Sequence, residues 1–198
     1  MKNFSNPKTI GFLVGELIKR VTNKSVGKNL EDLLNHPLKT KCFIGTPLTY
    51  HDNIAELISS ESLRQAFSNP QNVDEYLITA FLNPANRTKT ANTKQWRLAE
   101  IPAMNCHTNS RSLARIYDYF LSHSSNKFIS PKTFNLLTSV AVSGEDHVMK
   151  SPMQWSYAGY SVVEENYLGI VVKRLATPAG VVLWHLAIPR MVLVVLIQ

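Results

Sequence analysis

The chain has 198 residues, 44% of them hydrophobic and 18% charged, and carries a net charge of +7. That length fits one domain, or one and a part, and the apolar share builds a packed core and excludes global disorder. The basic residues of the front half, Lys2, Lys8, Lys19, Arg20, Lys24, Lys28, Lys39 and Lys41, form no block, and no RNP-like or zinc-finger pattern accompanies them, so there is no strong nucleic-acid signal.

The start does not read as a signal peptide. Its apolar stretch is short and is cut by Glu16, with no small-residue cleavage pattern after it. An intracellular location is therefore the expectation, and the sequons at Asn3, Asn23 and Asn86 carry little weight. Two cysteines, Cys42 and Cys106, make no disulfide scaffold and fit a reducing compartment.

In chain order, Ile10, Leu13, Val14, Leu17, Ile18 and Val21 recur at three-four spacing and predict an amphipathic helix. Gly11 and Gly15 lie one turn apart within it. Glycine costs about 1 kcal/mol in a helix, so the pair points to a close backbone approach. A membrane dimer motif is the alternative, but Glu16, Lys19 and Arg20 leave the apolar run far short of the ~20 residues a span needs. Ser25 is placed to cap a second helix, which carries Leu30, Leu33 and Leu34 and is expected to stop at Pro37. Residues 42–45 predict a short buried strand and residues 51–58 another helix.

Residues 59–71 are polar and turn-rich. Residues 73–82 predict a helix closed by Asn83-Pro84. Residues 86–95 are polar, basic and without periodicity, and predict a long surface loop with Trp96 anchoring its far end. Leu113, Ile116, Tyr117, Phe120 and Leu121 define a further amphipathic helix, with Thr108 or Asn109 as its N-cap and Cys106-His107 just ahead. Ser130-Pro131 opens another. In the tail, residues 168–175 and 181–188 predict two β-runs about a turn at 177–180. A transmembrane span is the rival for 181–198, but His185, Pro189 and Arg190 lie at its middle. A central Arg costs about 2.5–3.5 kcal/mol on insertion scales, so strands are favoured.

Three patterns could carry chemistry. In Cys106-His107 the residues are adjacent, so in extended chain their side chains point apart, which suits neither a thiolate–base dyad nor a metal site. The remaining histidines, His36, His51, His123, His147 and His185, are scattered. No G-x-S-x-G elbow occurs. Ser-x-x-Lys occurs at Ser5–Lys8, Ser25–Lys28 and Ser124–Lys127. One helical turn can bring such a lysine beside the hydroxyl, where a desolvated amine accepts its proton. Ser5–Lys8 contains Pro7, Ser124–Lys127 follows a helix end, and Ser25–Lys28 reads as a cap with an exposed lysine.

The segment from Asn105 to Tyr117, with Asn105, His107, Arg111, Leu113, Ala114, Arg115 and Tyr117, resembles one of the serine β-lactamase-like family, which holds class C β-lactamases, related esterases and penicillin-binding-protein relatives. Cys106 stands there in place of a glycine. Residues 10–30, IGFLVGELIKRVTNKSVGKNL, resemble that family's helix pair, with Asn23 where glycine is usual. Residues 129–139 and 143–152 resemble its later segments in the same order, and the match covers about residues 8–155.

The resemblance implies an α+β, helix-rich chain: the helical lobe and part of the β-lactamase/transpeptidase-like fold, with an incomplete antiparallel sheet. It implies a partial domain over 1–160 and a hydrophobic, β-rich, divergent tail over 161–198. The family's catalytic Ser-x-x-Lys, tyrosine and closing Lys/His-x-Gly strand have no counterpart here, so no catalytic, cofactor-binding or metal-ligating residue is assigned. Three readings follow. The first is a truncated hydrolase homologue without acyl-hydrolase activity by itself. The second is an active esterase or β-lactamase-like hydrolase with Ser25 as nucleophile. The third is a non-catalytic interaction module using the basic front and residues 86–95. Apolar faces such as Ile10/Leu13/Leu17 lose cover in a partial fold, which opens a route to self-association.

Overall fold

The computed structural model of the protein describes residues 9–58, 75–79, 88–121, 129–167, 170–178 and 184–187. The chain divides into two compact units. One consists mainly of Phe4–Asn109, the other mainly of Ser110–Asp146 and Lys150–Gln198.

In the first unit, helix α1 (Thr9–Thr22) packs through its glycines. A Cβ added at Gly11 would lie 2.5 Å from the Ala103 backbone nitrogen, and one at Gly15 would meet Pro102 and Val26 at 3.2 and 3.3 Å. The close approach that the glycines imply is thus made to the Ala103 backbone at Gly11 and to the Pro102 ring and a Val26 methyl at Gly15. The neighbouring apolar stripe faces outward: Ile10, Leu13, Val14, Leu17 and Val21 are between 45% and 75% exposed. Asn23 takes the left-handed conformation, φ 55°, that ends the helix. Asparagine tolerates that region better than most residues, which accounts for its standing where glycine is usual in the resembling family.

Ser25 caps the next helix by accepting the Lys28 N–H. That helix, α2 (26–38), begins as Val26–Leu30, widens into a π-turn at Glu31–Asn35 and closes with His36–Leu38. It therefore passes through Pro37, where a stop was expected. The widened turn ahead of the proline relaxes the clash its ring would make with the carbonyl four residues back. Lys39, at φ 51°, then ends the helix. The buried Asn35 continues the hydrogen-bond ladder with its side chain. Its amide donates to the Cys42 carbonyl at 2.8 Å, and its oxygen accepts the Cys42 N–H and the Thr40 hydroxyl at 3.0 Å each.

The two-residue strand β1 (Cys42–Phe43) pairs antiparallel with β2 (His107–Thr108), Cys42 opposite Thr108 and Phe43 opposite His107. Cys42 and Ile44 are buried, as the expected strand at 42–45 requires. Two expectations fail nearby. Residues 51–58 are not a helix: a 3₁₀ turn at Leu48–Asn53 gives way to extended chain at Ile54, and Leu57 exchanges two 2.9 Å bonds with the Asn92 side chain instead. Residues 86–95 are not simply a loop. A helical turn at Thr88–Ala91 precedes α3 (Lys94–Leu98), whose N-terminus Thr93 caps by accepting the Trp96 N–H. A local cap, not periodicity, starts the second of these. Of the helix expected over 73–82, Glu75–Leu77 is helical; its ends, like residues 59–71, lie outside the described residues.

From Ala99 to Asn105 the chain has no regular structure beyond a turn in which the Met104 and Asn105 N–H groups donate to the Ile101 carbonyl at 2.9 and 3.2 Å, and the Asn105 side chain braces it. Asn105 is buried. Its amide donates to the Trp96 and Ala99 carbonyls at 2.8 and 2.6 Å, and its oxygen accepts the Ile101 N–H at 3.0 Å.

The second unit begins with α4 (Ser110–Leu121). Thr108 is not its cap, because its hydroxyl donates to the Lys41 carbonyl at 2.8 Å; the residue before the helix is Asn109. Then α5 (Pro131–Thr138) starts at a Ser130 cap with Pro131 in its first turn, as expected. Strands β3 (Val140–Asp146), β4 (Ser151–Ser156), β5 (Ser161–Tyr167), β6 (Ile170–Pro178) and β7 (Trp184–Ala187) form an antiparallel meander in chain order. The last two overlap the β-runs read from the tail and pair with Leu175 opposite Ala187. The architecture is the expected one, α+β with an antiparallel sheet. The fully buried Asp146 accepts the Trp155 indole N–H at 3.1 Å. Tyr117 and Tyr160 are hydrogen-bonded, and burial pushes both phenols above their usual titration range. Among the described residues no helix is long and apolar enough to cross a membrane.

The two α1 glycines make different predictions. Gly11→Ala forces the methyl onto backbone and should cost about 1–3 kcal/mol, whereas at Gly15 the gain in helix propensity, about 1 kcal/mol, offsets the tighter contact. Urea denaturation should show the first variant destabilised and the second near wild type; equal effects contradict the packing described. Asn105→Ala leaves three backbone groups unpaired and should cost about 3 kcal/mol, a loss that the same titration reads directly.

Candidate functional site

Of the three Ser-x-x-Lys patterns, the described residues contain Ser25–Lys28; Ser5–Lys8 and Ser124–Lys127 lie outside them. Ser25 opens onto a cleft of about 240 Å³ lined with Phe12, Glu16, Lys19, Glu100 and Pro102. Its hydroxyl is engaged both as donor and as acceptor. It accepts the Lys28 backbone N–H at 3.2 Å and donates to Glu100 Oε1 at 2.6 Å, while Glu100 Oε2 accepts the Gly27 N–H at 3.1 Å. Serine and glutamate together satisfy two orphan donors of the first turn of α2, as a capping box does within one segment.

The Lys28 amine points elsewhere. Its Nζ lies 3.0 Å from Glu31 Oε2 and 3.0 Å from Asp32 Oδ1. Hydrogen bonds that it donates to Asp32 first, then to Glu31, hold its pKa above the ordinary lysine value. Lys24 and Lys28 in turn hold the Asp32 carboxyl at about 2. A lysine that primes a serine must lose its proton through desolvation; this one is exposed and bound to two carboxylates, which favours the charged form.

Cys106 and His107 diverge as their adjacency predicts. By the strand register, residues 42, 44 and 106 project to one face and 43 and 107 to the other. Cys106 meets Cys42, with the two sulfurs 3.4 Å apart. His107 Nδ1 instead lies 2.8 Å from the hydroxyl of Thr46, which is fully buried. His51 Nε2 is 3.0 Å from the Thr46 carbonyl, and Arg97 donates to the His51 carbonyl at 3.3 Å. Burial first, then the Arg97 charge and His51, push the His107 pKa below its ordinary value. The imidazole is thus a neutral, hydrogen-bonded structural group and not a base for Cys106.

The loop residues that the sequence brings to notice are therefore joined, but into a structural network. The partners that complete it, Glu100, Thr46 and Arg97, carry no motif, and no local signal could have singled them out. Among the described residues no group of three or more His, Cys, Asp or Glu side chains is placed to hold a metal ion.

His107 provides a pH test. Its folded pKa lies below the unfolded value near 6.5, so its contribution to stability is present above that pH and is lost as the pH falls through the folded pKa. NMR titration should place the His107 midpoint below 6.5, and His107→Gln should flatten the fall in stability between neutral and mildly acid pH. A His107 midpoint at or above 6.5 contradicts this reading.

No family model matches the sequence, and no curated protein matches it. Solved structures do. A family VIII carboxylesterase aligns with 22% identity and a TM-score of 0.71, over 89% of this chain and 50% of its own. A penicillin-binding protein homologue from Caulobacter crescentus aligns with 26% identity and a TM-score of 0.70, over 90% and 50%. EstA from Arthrobacter nitroguajacolicus Rue61a aligns with 14% identity and a TM-score of 0.69, over 88% and 50%. The chain spans about half the length of each. With the helices, the meander and the loop at Asn105 already in place, these alignments identify the chain as sharing the serine β-lactamase-like fold of penicillin-binding-protein and esterase relatives, over half the extent of that fold.

Proposed function

We propose that this chain is a truncated β-lactamase-related serine hydrolase homologue without acyl-hydrolase activity by itself. The observation that carries the reading is the occupation of the Ser25–Lys28 pair. Covalent acylation needs a hydroxyl that can transfer its proton to a base as it attacks. Ser25 donates to Glu100, a carboxylate whose other oxygen is tied into the α2 cap, and Lys28 stays protonated between Glu31 and Asp32, so the serine–lysine proton transfer of the family is not set up. The Ser-x-x-Lys, tyrosine and Lys/His-x-Gly elements that the resemblance would require are not identified among these 198 residues, which supports the same reading. An intracellular compartment belongs to the same proposal. Two cysteines, too few for a disulfide scaffold, suit a reducing environment.

The test is direct. The 198-residue chain should give no burst and no turnover with a chromogenic cephalosporin or a p-nitrophenyl ester, and a fluorophosphonate probe should label no serine. Ser25→Ala should leave that background unchanged and lower stability by about 1 kcal/mol through loss of the cap. An acyl or phosphonyl adduct mapped to Ser25 by mass spectrometry refutes the proposal.

A further inference from the structure

We propose that Cys42 and Cys106 form a reversible dithiol/disulfide pair that responds to small-molecule disulfides. The case rests on placement. The two residues are 64 positions apart in sequence, yet their sulfurs are 3.4 Å apart. They lie on the same face of the β1–β2 pair, on opposite chains and diagonal to one another. A disulfide has its sulfurs at about 2.0 Å, so closure needs an approach of a little more than 1 Å, within reach of small χ1 adjustments. Cys42 is a buried residue and Cys106 an exposed one, so the pair lies at the surface on the Cys106 side, with the Cys106 sulfur turned inward against Cys42.

The chemistry balances without any group beyond the oxidant. Cys106, as thiolate, attacks one sulfur of a small disulfide RSSR. A mixed disulfide forms at Cys106 and one RS⁻ leaves and takes up a proton. The Cys42 thiolate then attacks the Cys106 sulfur, the protein disulfide closes, and the second RS⁻ leaves. In sum, two protein thiols are oxidised and RSSR is reduced to two RSH. The contact between the sulfurs supports the sequence of events. A single proton is readily lost from the pair because the remaining thiol stabilises the thiolate; hydrogen bonding to Cys106 lowers the Cys42 pKa, and that contact raises the Cys106 pKa. The first negative charge therefore rests on Cys42, with the Cys106 thiol donating to it, and a proton shift across the 3.4 Å contact transfers it to Cys106 for the attack; once Cys106 is capped, Cys42 is the resolving thiolate.

The closed form would join β1 to β2 covalently and so fix the segment that Asn105 organises to the strand that Asn35 holds. Because neither cysteine takes part in the Ser25 cap or the Lys28 ion pairs, this proposal and the one on activity fail separately.

The experiment uses the full chain equilibrated across a series of oxidised and reduced glutathione. Free thiols are then blocked and an unreduced digest is read by mass spectrometry. The expected product is an intramolecular Cys42–Cys106 cross-link whose fraction rises with oxidised glutathione and returns to zero with dithiothreitol. In Cys42→Ser, folded by circular dichroism, the glutathione adduct should persist on Cys106, because the resolving thiol is gone. A wild-type chain that accumulates a stable glutathione adduct on Cys106, forms only intermolecular disulfides, or remains a dithiol throughout the series overturns the proposal.

Discussion

The first unit depends on the Asn105 side chain. The stretch from Ala99 to Asn105 has no ladder of its own, and three of its backbone groups or neighbours would otherwise be unpaired. Buried amide groups without partners cost about 1–3 kcal/mol each, so one asparagine that satisfies three of them sets the path of the whole segment. That path has consequences on every side. It carries Glu100 to the α2 N-terminus, brings Pro102 and Ala103 against the α1 glycines, and delivers Cys106 and His107 to β1. A histidine and a cysteine beside this asparagine look like chemistry in the sequence because the structural demands at this point happen to call for polar side chains.

Much of this was legible, and the limits have physical causes. Caps were readable because they are local: Ser25 and Ser130 each accept an N–H three residues on. The glycines of α1 announced a close approach but could not name Ala103 as the surface approached, since that pairing is set by a loop ninety or so positions away in the chain. Pro37 was misread because proline rules describe a regular α-helix, and a π-turn upstream changes the clash they rest on. Residues 51–58 carry a helix-like pattern, but Leu57 finds its backbone partners on Asn92, a tertiary bond that outweighs weak local preference. The Cys42–Cys106 contact is the same kind of fact. It requires the register of two strands that are each two residues long.

The exposed stripe of α1 follows from how the helix is packed. Glycines bury almost no side-chain area, so a helix seated through Gly11 and Gly15 gains close backbone contact while its large residues remain in water. Single exposed apolar residues are ordinary, but Ile10, Leu13, Val14, Leu17 and Val21 form a continuous strip over more than two turns. Such a strip fits a chain that covers half of a larger fold.

The fate of Ser25 shows why a four-residue pattern underdetermines a catalytic pair. The spacing of Ser-x-x-Lys brings an amine within one helical turn of a hydroxyl, and everything else is left to the surroundings. Here Glu31 and Asp32 follow Lys28 at three and four positions, the separations at which helical side chains meet. Those carboxylates hold the amine in solvent as a cation, and Glu100, from a distant segment, takes the serine proton contact that the lysine would need. A buried apolar helix in place of Glu31 and Asp32 would have pressed the lysine toward its neutral form. The same two letters therefore make a nucleophile or a helix cap according to the charge one turn further on, and in this chain that charge is negative.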